Sequence, residues 1–218
     1  MLTNIKAAIF DMDGTLVDSM WVWSKIDIDF LKNRNIECPK DLKSKIEHLS
    51  FEEVAIYFKN TFKLKESIED IMHEWNDMAL KEYETNVKLK FGAKKYLKIL
   101  KSMGIKIGLA TSNSSLLLKT ALKTNEIYQY FDTITRTDEV CRGKQFPDVY
   151  LLTAQRLGVN PEECVVFEDI LPAVIGAKSA GMKVVGIHDD YSSYQKEEII
   201  NIADKYIYEY SELMEKAI

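Results

Sequence analysis

From residue 91 onward the chain repeats one pattern: a stretch with helical spacing of apolar residues, then a short apolar run, then helix again. Helical stretches at 92–103, 114–124, 147–157 and 172–180 alternate with strand-like runs at 105–110, 132–136, 164–167 and 183–187. Strands that follow one another through helices can pair only by crossovers, which implies a parallel sheet covered on both faces. Gly104, Gly158 and Gly181 fall just past three of the helical stretches, where a left-handed residue ends a helix at little cost. An earlier apolar run at 5–10 has no polar alternation, as expected of a parallel strand buried on both sides. Between residue 19 and about residue 84 the pattern is helical throughout, with capping-box pairs at Ser50/Glu53 and Ser67/Asp70. The expected organisation is an α/β core formed by residues 1–16 and 88–218, with an all-helical domain inserted at 17–87. The junctions near Leu16 and Lys88 would be hinges.

A chain of 218 residues can bury one full core and carry a smaller second module. The formal charge of −5 and the lack of a dense lysine or arginine run with interleaved aromatics argue against a nucleic-acid partner. Three cysteines without paired spacing and three scattered histidines indicate neither a disulfide framework nor a zinc site, which fits a reducing cytoplasm. The first six residues lack a signal peptide's apolar stretch, and no segment approaches 18 consecutive apolar residues, so no membrane association is expected.

The chemistry begins where the first strand ends, at Asp11-Met12-Asp13-Gly14-Thr15-Leu16-Val17-Asp18-Ser19. Open parallel sheets bind ligands at the carboxyl ends of their strands. Two carboxylates at i and i+2 can divide phosphoryl transfer between them: one attacks phosphorus, the other protonates the leaving oxygen, and Gly14 lets the backbone turn sharply. Further candidates fall at or beyond the ends of later strands. Thr111, Ser112 and Asn113 offer a hydroxyl and amides for phosphoryl oxygens, although such residues also cap helices. Lys144 offers a cation, and Glu168-Asp169 a pair of hard carboxylates. Trp21, Trp23, Ile26 and Phe30 form a stripe at near-helical spacing that reads as core rather than pocket. His188-Asp189-Asp190 reads as a solvated loop outside the site.

The nine residues from Asp11 to Ser19, after a buried strand, resemble the first motif of the haloacid dehalogenase superfamily. Thr111 looks like its second motif, Lys144 like its third and Glu168-Asp169 like its fourth. The resemblance implies a Rossmann-like parallel sheet core with an inserted helical cap, similar to the branch containing β-phosphoglucomutase and related phosphatases. It also implies a magnesium ion held by Asp11, Asp169, Glu168 and the main-chain carbonyl of Asp13, with Asp11 as nucleophile and Asp13 as acid and base. Thr111, Ser112, Asn113 and Lys144 would hold the phosphoryl group.

An aspartate two residues after the nucleophile points to phosphate esters rather than to the dehalogenase or phosphonate branches. Sequences resembling β-phosphoglucomutase carry an arginine in the cap and a hinge histidine. Phe51, in the stretch from His48 to Val54, and Trp23 stand in those places. Both departures favour a phosphatase acting on a small phosphorylated metabolite over a hexose-phosphate mutase. A third possibility is a catalytically idle metabolite sensor, for which an intact nucleophile would be superfluous. Gln145 replaces a usual proline and Ile170 a frequent serine, and neither change removes a charge. The sequence names no substrate and no oligomeric state, with a monomer the simplest expectation.

Overall fold

The computed structural model describes residues 4–46 and 51–214. The chain divides into two compact units, Met20–Asn86 and a larger one made of Met1–Ser19 with Val87–Ile218.

The smaller unit contains helices α1 (Trp21–Lys32), α2 (Leu42–Ile46), α3 (Phe51–Thr61) and α4 (Ile68–Thr85). The expected capping box opens α4: Ser67 Oγ accepts from the Asp70 N–H at 3.0 Å, and Asp70 Oδ2 accepts from the Ser67 N–H at 3.3 Å. Ser50, half of the other expected box, lies outside the described residues. Phe30, Phe58 and Trp75 meet edge to face at the centre of the unit, with centroids 4.9–6.0 Å apart, and all three are buried. Of the stripe on α1, Ile26 and Phe30 are buried, whereas Trp21 and Trp23 are half-buried. Trp23 packs edge to face on Phe51 with ring centroids 5.5 Å apart, so the two residues expected in the places of a mutase-like histidine and arginine pack together.

The larger unit is built on a six-stranded parallel sheet. Its strands are β1 (Ala7–Phe10), β4 (Lys106–Thr111), β5 (Thr133–Arg136), β6 (Cys164–Glu168), β7 (Lys183–Ile187) and β8 (Lys205–Ile207), in the order β5-β4-β1-β6-β7-β8. A separate antiparallel ribbon joins β2 (Val17–Asp18) to β3 (Lys88–Leu89). Helices α5 (Ala93–Ser102), α6 (Ser115–Thr124), α7 (Asp148–Leu157), α8 (Leu171–Ser179) and α9 (Lys196–Ile202) complete the unit. This is the α/β, Rossmann-like architecture expected from the alternation of elements.

All four residues of β1 are fully buried, and they serve two cores. Ala7 and Ile9 pack with Val149, Tyr150, Val166 and Val174 on one face. On the other, Phe10 stacks on Phe167 at 4.4 Å, with Tyr96 and Tyr210 around them. From β1 the sheet grows first through β4 to β5 and then, on the opposite side, through β6 to β8. The reversal puts a crevice at the carboxyl end of β1, which is where such sheets bind ligands.

Candidate active site

The turn after β1 is tightly bonded. The Asp11 N–H donates to the Phe167 carbonyl, and the Leu16 and Val17 N–H groups both donate to the Met12 carbonyl at 2.8 and 3.0 Å. Gly14 closes the turn at φ +80°, and a Cβ there would stand 2.3 Å from Asp169 Oδ2. Backbone conformation and the close approach of a carboxylate therefore both require glycine at this position. Gly176 on α8 answers a similar need, since a Cβ there would lie 2.0 Å from the Lys144 carbonyl. Its absence lets the segment bearing Lys144 rest on the helix that follows Glu168-Asp169.

Four carboxylates and one ammonium gather at these strand ends. Lys144 Nζ donates to Asp11 Oδ1 and, at 2.6 Å, to Glu168 Oε1, and all three side chains are buried. The Tyr150 hydroxyl donates to the same Glu168 oxygen at 2.9 Å. Thr15 Oγ1 donates to Asp169 Oδ1 at 3.0 Å. Asp13 is held from both sides, by Ser19 Oγ on Oδ1 at 2.6 Å and by Asn113 Nδ2 on Oδ2 at 2.8 Å.

Burial pushes the Asp11 carboxyl up to about 8, with Lys144 opposing and the Glu168 and Asp13 charges assisting. Burial also raises Asp169 well above the usual carboxylate range, helped by the Asp11 and Glu168 charges. Burial works against the Lys144 ammonium too, but the Asp11 and Glu168 carboxylates outweigh it and hold the group above its ordinary value. Lys144 thus stays charged, while one cation is too few for the carboxylates around it.

The arrangement fits a divalent cation. Oxygens of Asp11, Glu168 and Asp169 come within 4.8 Å of one another. Among the described residues, the buried side-chain polar atoms without a hydrogen-bond partner are Trp75 Nε1, Glu168 Oε2 and Asp169 Oδ2, so two of the three belong to this cluster. Buried carboxylate oxygens without donors are costly unless a cation meets them, and an all-oxygen set suits magnesium.

Thr111 is the buried last residue of β4, and its Oγ1 accepts from the Asn113 N–H at 3.1 Å, which leaves its own hydrogen to donate. Ser112 is exposed beside it. Asn113, expected to face a phosphoryl group, directs its side-chain amide to Asp13. Sequence reasoning missed three supports. Ser19 and Thr15 lie inside the nine-residue motif, so their place could have been read there. Tyr150 sits six residues after Lys144 on α7, and nothing local marks it.

The run His188-Asp189-Asp190 requires a correction. Asp190 is exposed, but Asp189 is buried and pairs with Lys90 Nζ at 2.7 Å, while the same ammonium donates to the His188 carbonyl. The partner arrives from 99 residues earlier, beyond any local pattern. Lys90→Met would leave Asp189 buried without its cation, and a loss of about 3 kcal/mol in unfolding free energy is expected. Urea unfolding of the single variant and of Lys90→Met/Asp189→Asn checks this. The double variant should recover part of the loss, and a single-variant change below about 0.5 kcal/mol would mean that the pair is screened like a surface bridge.

The family model for haloacid dehalogenase-like hydrolases matches residues 8–187. A phosphorylated carbohydrates phosphatase from Thermotoga maritima is 31% identical over 179 residues, covering 82% of this chain and 83% of that protein. Hexitol phosphatase B from Escherichia coli is 28% identical, covering 84% and 83%. A solved Thermotoga maritima structure, described as a candidate β-phosphoglucomutase, superposes with a TM-score of 0.86 at 27% identity, covering 98% of this chain and all of that one. The motif-bearing strand ends thus lie within a match that spans most of the chain, which belongs to the haloacid dehalogenase-like hydrolase family.

Proposed function

We propose that this protein is a magnesium-dependent phosphatase that hydrolyses a small phosphate monoester through an aspartyl-phosphate on Asp11. The observation that carries the reading is the pair Asp11 and Asp13 at the end of β1: one carboxylate is bonded to Lys144, the other clamped by Ser19 and Asn113. In the first step an Asp11 oxygen bonds to phosphorus as the ester P–O bond breaks, and Asp13 gives its proton to the departing oxygen. In the second, water bonds to phosphorus, the Asp11–phosphorus bond breaks, and Asp13 takes the proton back. Lys144, the Thr111 hydroxyl and the region of Ser112 and Asn113 hold the phosphoryl oxygens. Magnesium, held by Asp11, Asp169, Glu168 and the Asp13 main-chain carbonyl, would supply charge neutralisation at the phosphoryl group.

The names of the phosphatase relatives make phosphorylated sugars and polyols the first substrates to try. Similarity to the candidate β-phosphoglucomutase favours a mutase as the second reading. Against it stand Phe51 and Trp23, which pack on each other where such a mutase carries arginine and histidine. Without the arginine a bisphosphate loses a charge-assisted contact worth about 1.5–3 kcal/mol, or roughly tenfold to a hundredfold in affinity. A panel of phosphorylated metabolites with magnesium should therefore yield free phosphate from at least one. A second incubation supplies β-glucose 1-phosphate with catalytic glucose 1,6-bisphosphate. Rapid accumulation of glucose 6-phosphate with phosphate at background would replace this reading with the mutase, and no turnover of any ester would replace it with a binding protein.

A further inference from the structure

Glu168 receives two hydrogen bonds on one oxygen and none on the other. Lys144 Nζ and the Tyr150 hydroxyl both donate to Oε1, at 2.6 and 2.9 Å, while Oε2 is buried without a partner. The terminal torsion of a glutamate is broad, so one donor alone would leave the plane of the carboxylate free to turn. Two donors converging on one oxygen remove that freedom. They come from different anchors. Lys144 lies in the segment before α7 and is shared with Asp11, whereas Tyr150 is fully buried on α7 within the core cluster that includes Val166 of β6 and Val174 of α8. Lys144 is drawn toward Asp11 as well, so it cannot by itself hold Glu168 in one orientation. Among the described residues the tyrosine hydroxyl donates to no other acceptor, and its ring is packed within the core.

We propose that Tyr150 is a positioning residue whose hydroxyl holds Glu168 with Oε1 turned to Lys144 and Oε2 kept for the divalent cation. The proposal deepens the phosphatase reading and rests on it for the identity of the metal. A group that orients a metal-ligating carboxylate contributes to metal affinity without touching substrate, and loss of such a group typically costs tenfold to a hundredfold.

Tyr150→Phe keeps the ring and removes the one oxygen, so the packing of α7 is retained. The experiment is calorimetric titration of magnesium chloride into the metal-free full-length protein, wild type beside Tyr150→Phe, with thermal unfolding of both without metal and steady-state kinetics at saturating magnesium. The expected result is a magnesium Kd weakened about tenfold in Tyr150→Phe, with substrate KM at saturating magnesium unchanged. Equal magnesium Kd values overturn the proposal, whether or not the metal-free melting temperature falls, because a hydroxyl that only supports packing would lower the melting temperature and spare the Kd. In that case magnesium binding by the wild type leaves the phosphatase reading standing. Wild-type protein that binds no magnesium overturns both. Should Tyr150→Phe prove too unstable to titrate, Tyr150→Met, a flexible apolar replacement without the hydroxyl, takes its place under the same criteria.

Discussion

Replacing Asp11 by asparagine is expected to leave the protein folded and to lower turnover by on the order of 10³-fold or more. Asparagine has the shape of aspartate and can still accept a bond from Lys144 through its amide oxygen, so the turn after β1 loses no contact that shapes it. What it loses is the carboxylate oxygen proposed to attack phosphorus. Stability should move the other way in the metal-free protein. Burial holds the Asp11 carboxyl at about 8, so at neutral pH the site bears an ionisable group whose charge is disfavoured, and a neutral amide removes that cost. A melting temperature equal to or above that of the wild type, with a collapse in phosphate release, separates loss of chemistry from loss of fold. A folded variant whose turnover stays within tenfold of the wild type would contradict the assignment of Asp11.

Asp169→Ala should be nearly as damaging, by a different route. Its Oδ1 is held by Thr15 and its Oδ2 lies buried and unbonded beside Gly14, so the carboxylate is oriented with one oxygen in reserve. Removing it takes a carboxylate from the cluster with Asp11 and Glu168 that could hold a metal, and leaves Thr15 without its acceptor. A metal contributes several kcal/mol to phosphoryl transfer, so a fall in turnover of about 10² to 10³ is expected, partly reversed by excess magnesium. Chelation of the wild type should do the same. Calcium should inhibit, because its ligands stand at roughly 2.3–2.6 Å against 2.0–2.1 Å for magnesium and would misplace the nucleophile. Full activity in a chelator would remove the metal from the mechanism.

What could be read from the sequence was whatever a short window contains. The strand that ends at Phe10, the one that runs into Thr111 and the one that ends at Glu168 are apolar runs followed by polar side chains, and the candidate site residues at these strand ends follow from where the runs stop. Gly104, Gly158 and Gly181 adopt positive φ, as their positions past helix ends imply. β2 and β3, at two residues each, are too short for any periodicity, and they exist because they pair with one another across some 70 residues of chain. β8 is a three-residue edge strand, Lys-Tyr-Ile, recognisable only beside β7. The polar supports divide the same way. Ser19 and Thr15 are near Asp13 in sequence, whereas Tyr150 meets Glu168 and Lys90 meets Asp189 through tertiary contacts, with no local signature. Asp189 looked solvated because its neighbours are polar, and a distant lysine made its burial tolerable.

The central claim, that Asp11 takes the phosphoryl group, is tested most directly by a crystal structure of the wild-type protein grown with magnesium and beryllium trifluoride. The expected result is trifluoroberyllate bonded to an Asp11 carboxylate oxygen, with its fluorines near Lys144 and Thr111 and a magnesium ion on Asp169. Trifluoroberyllate bonded to any other side chain, with Asp11 unmodified, would contradict it.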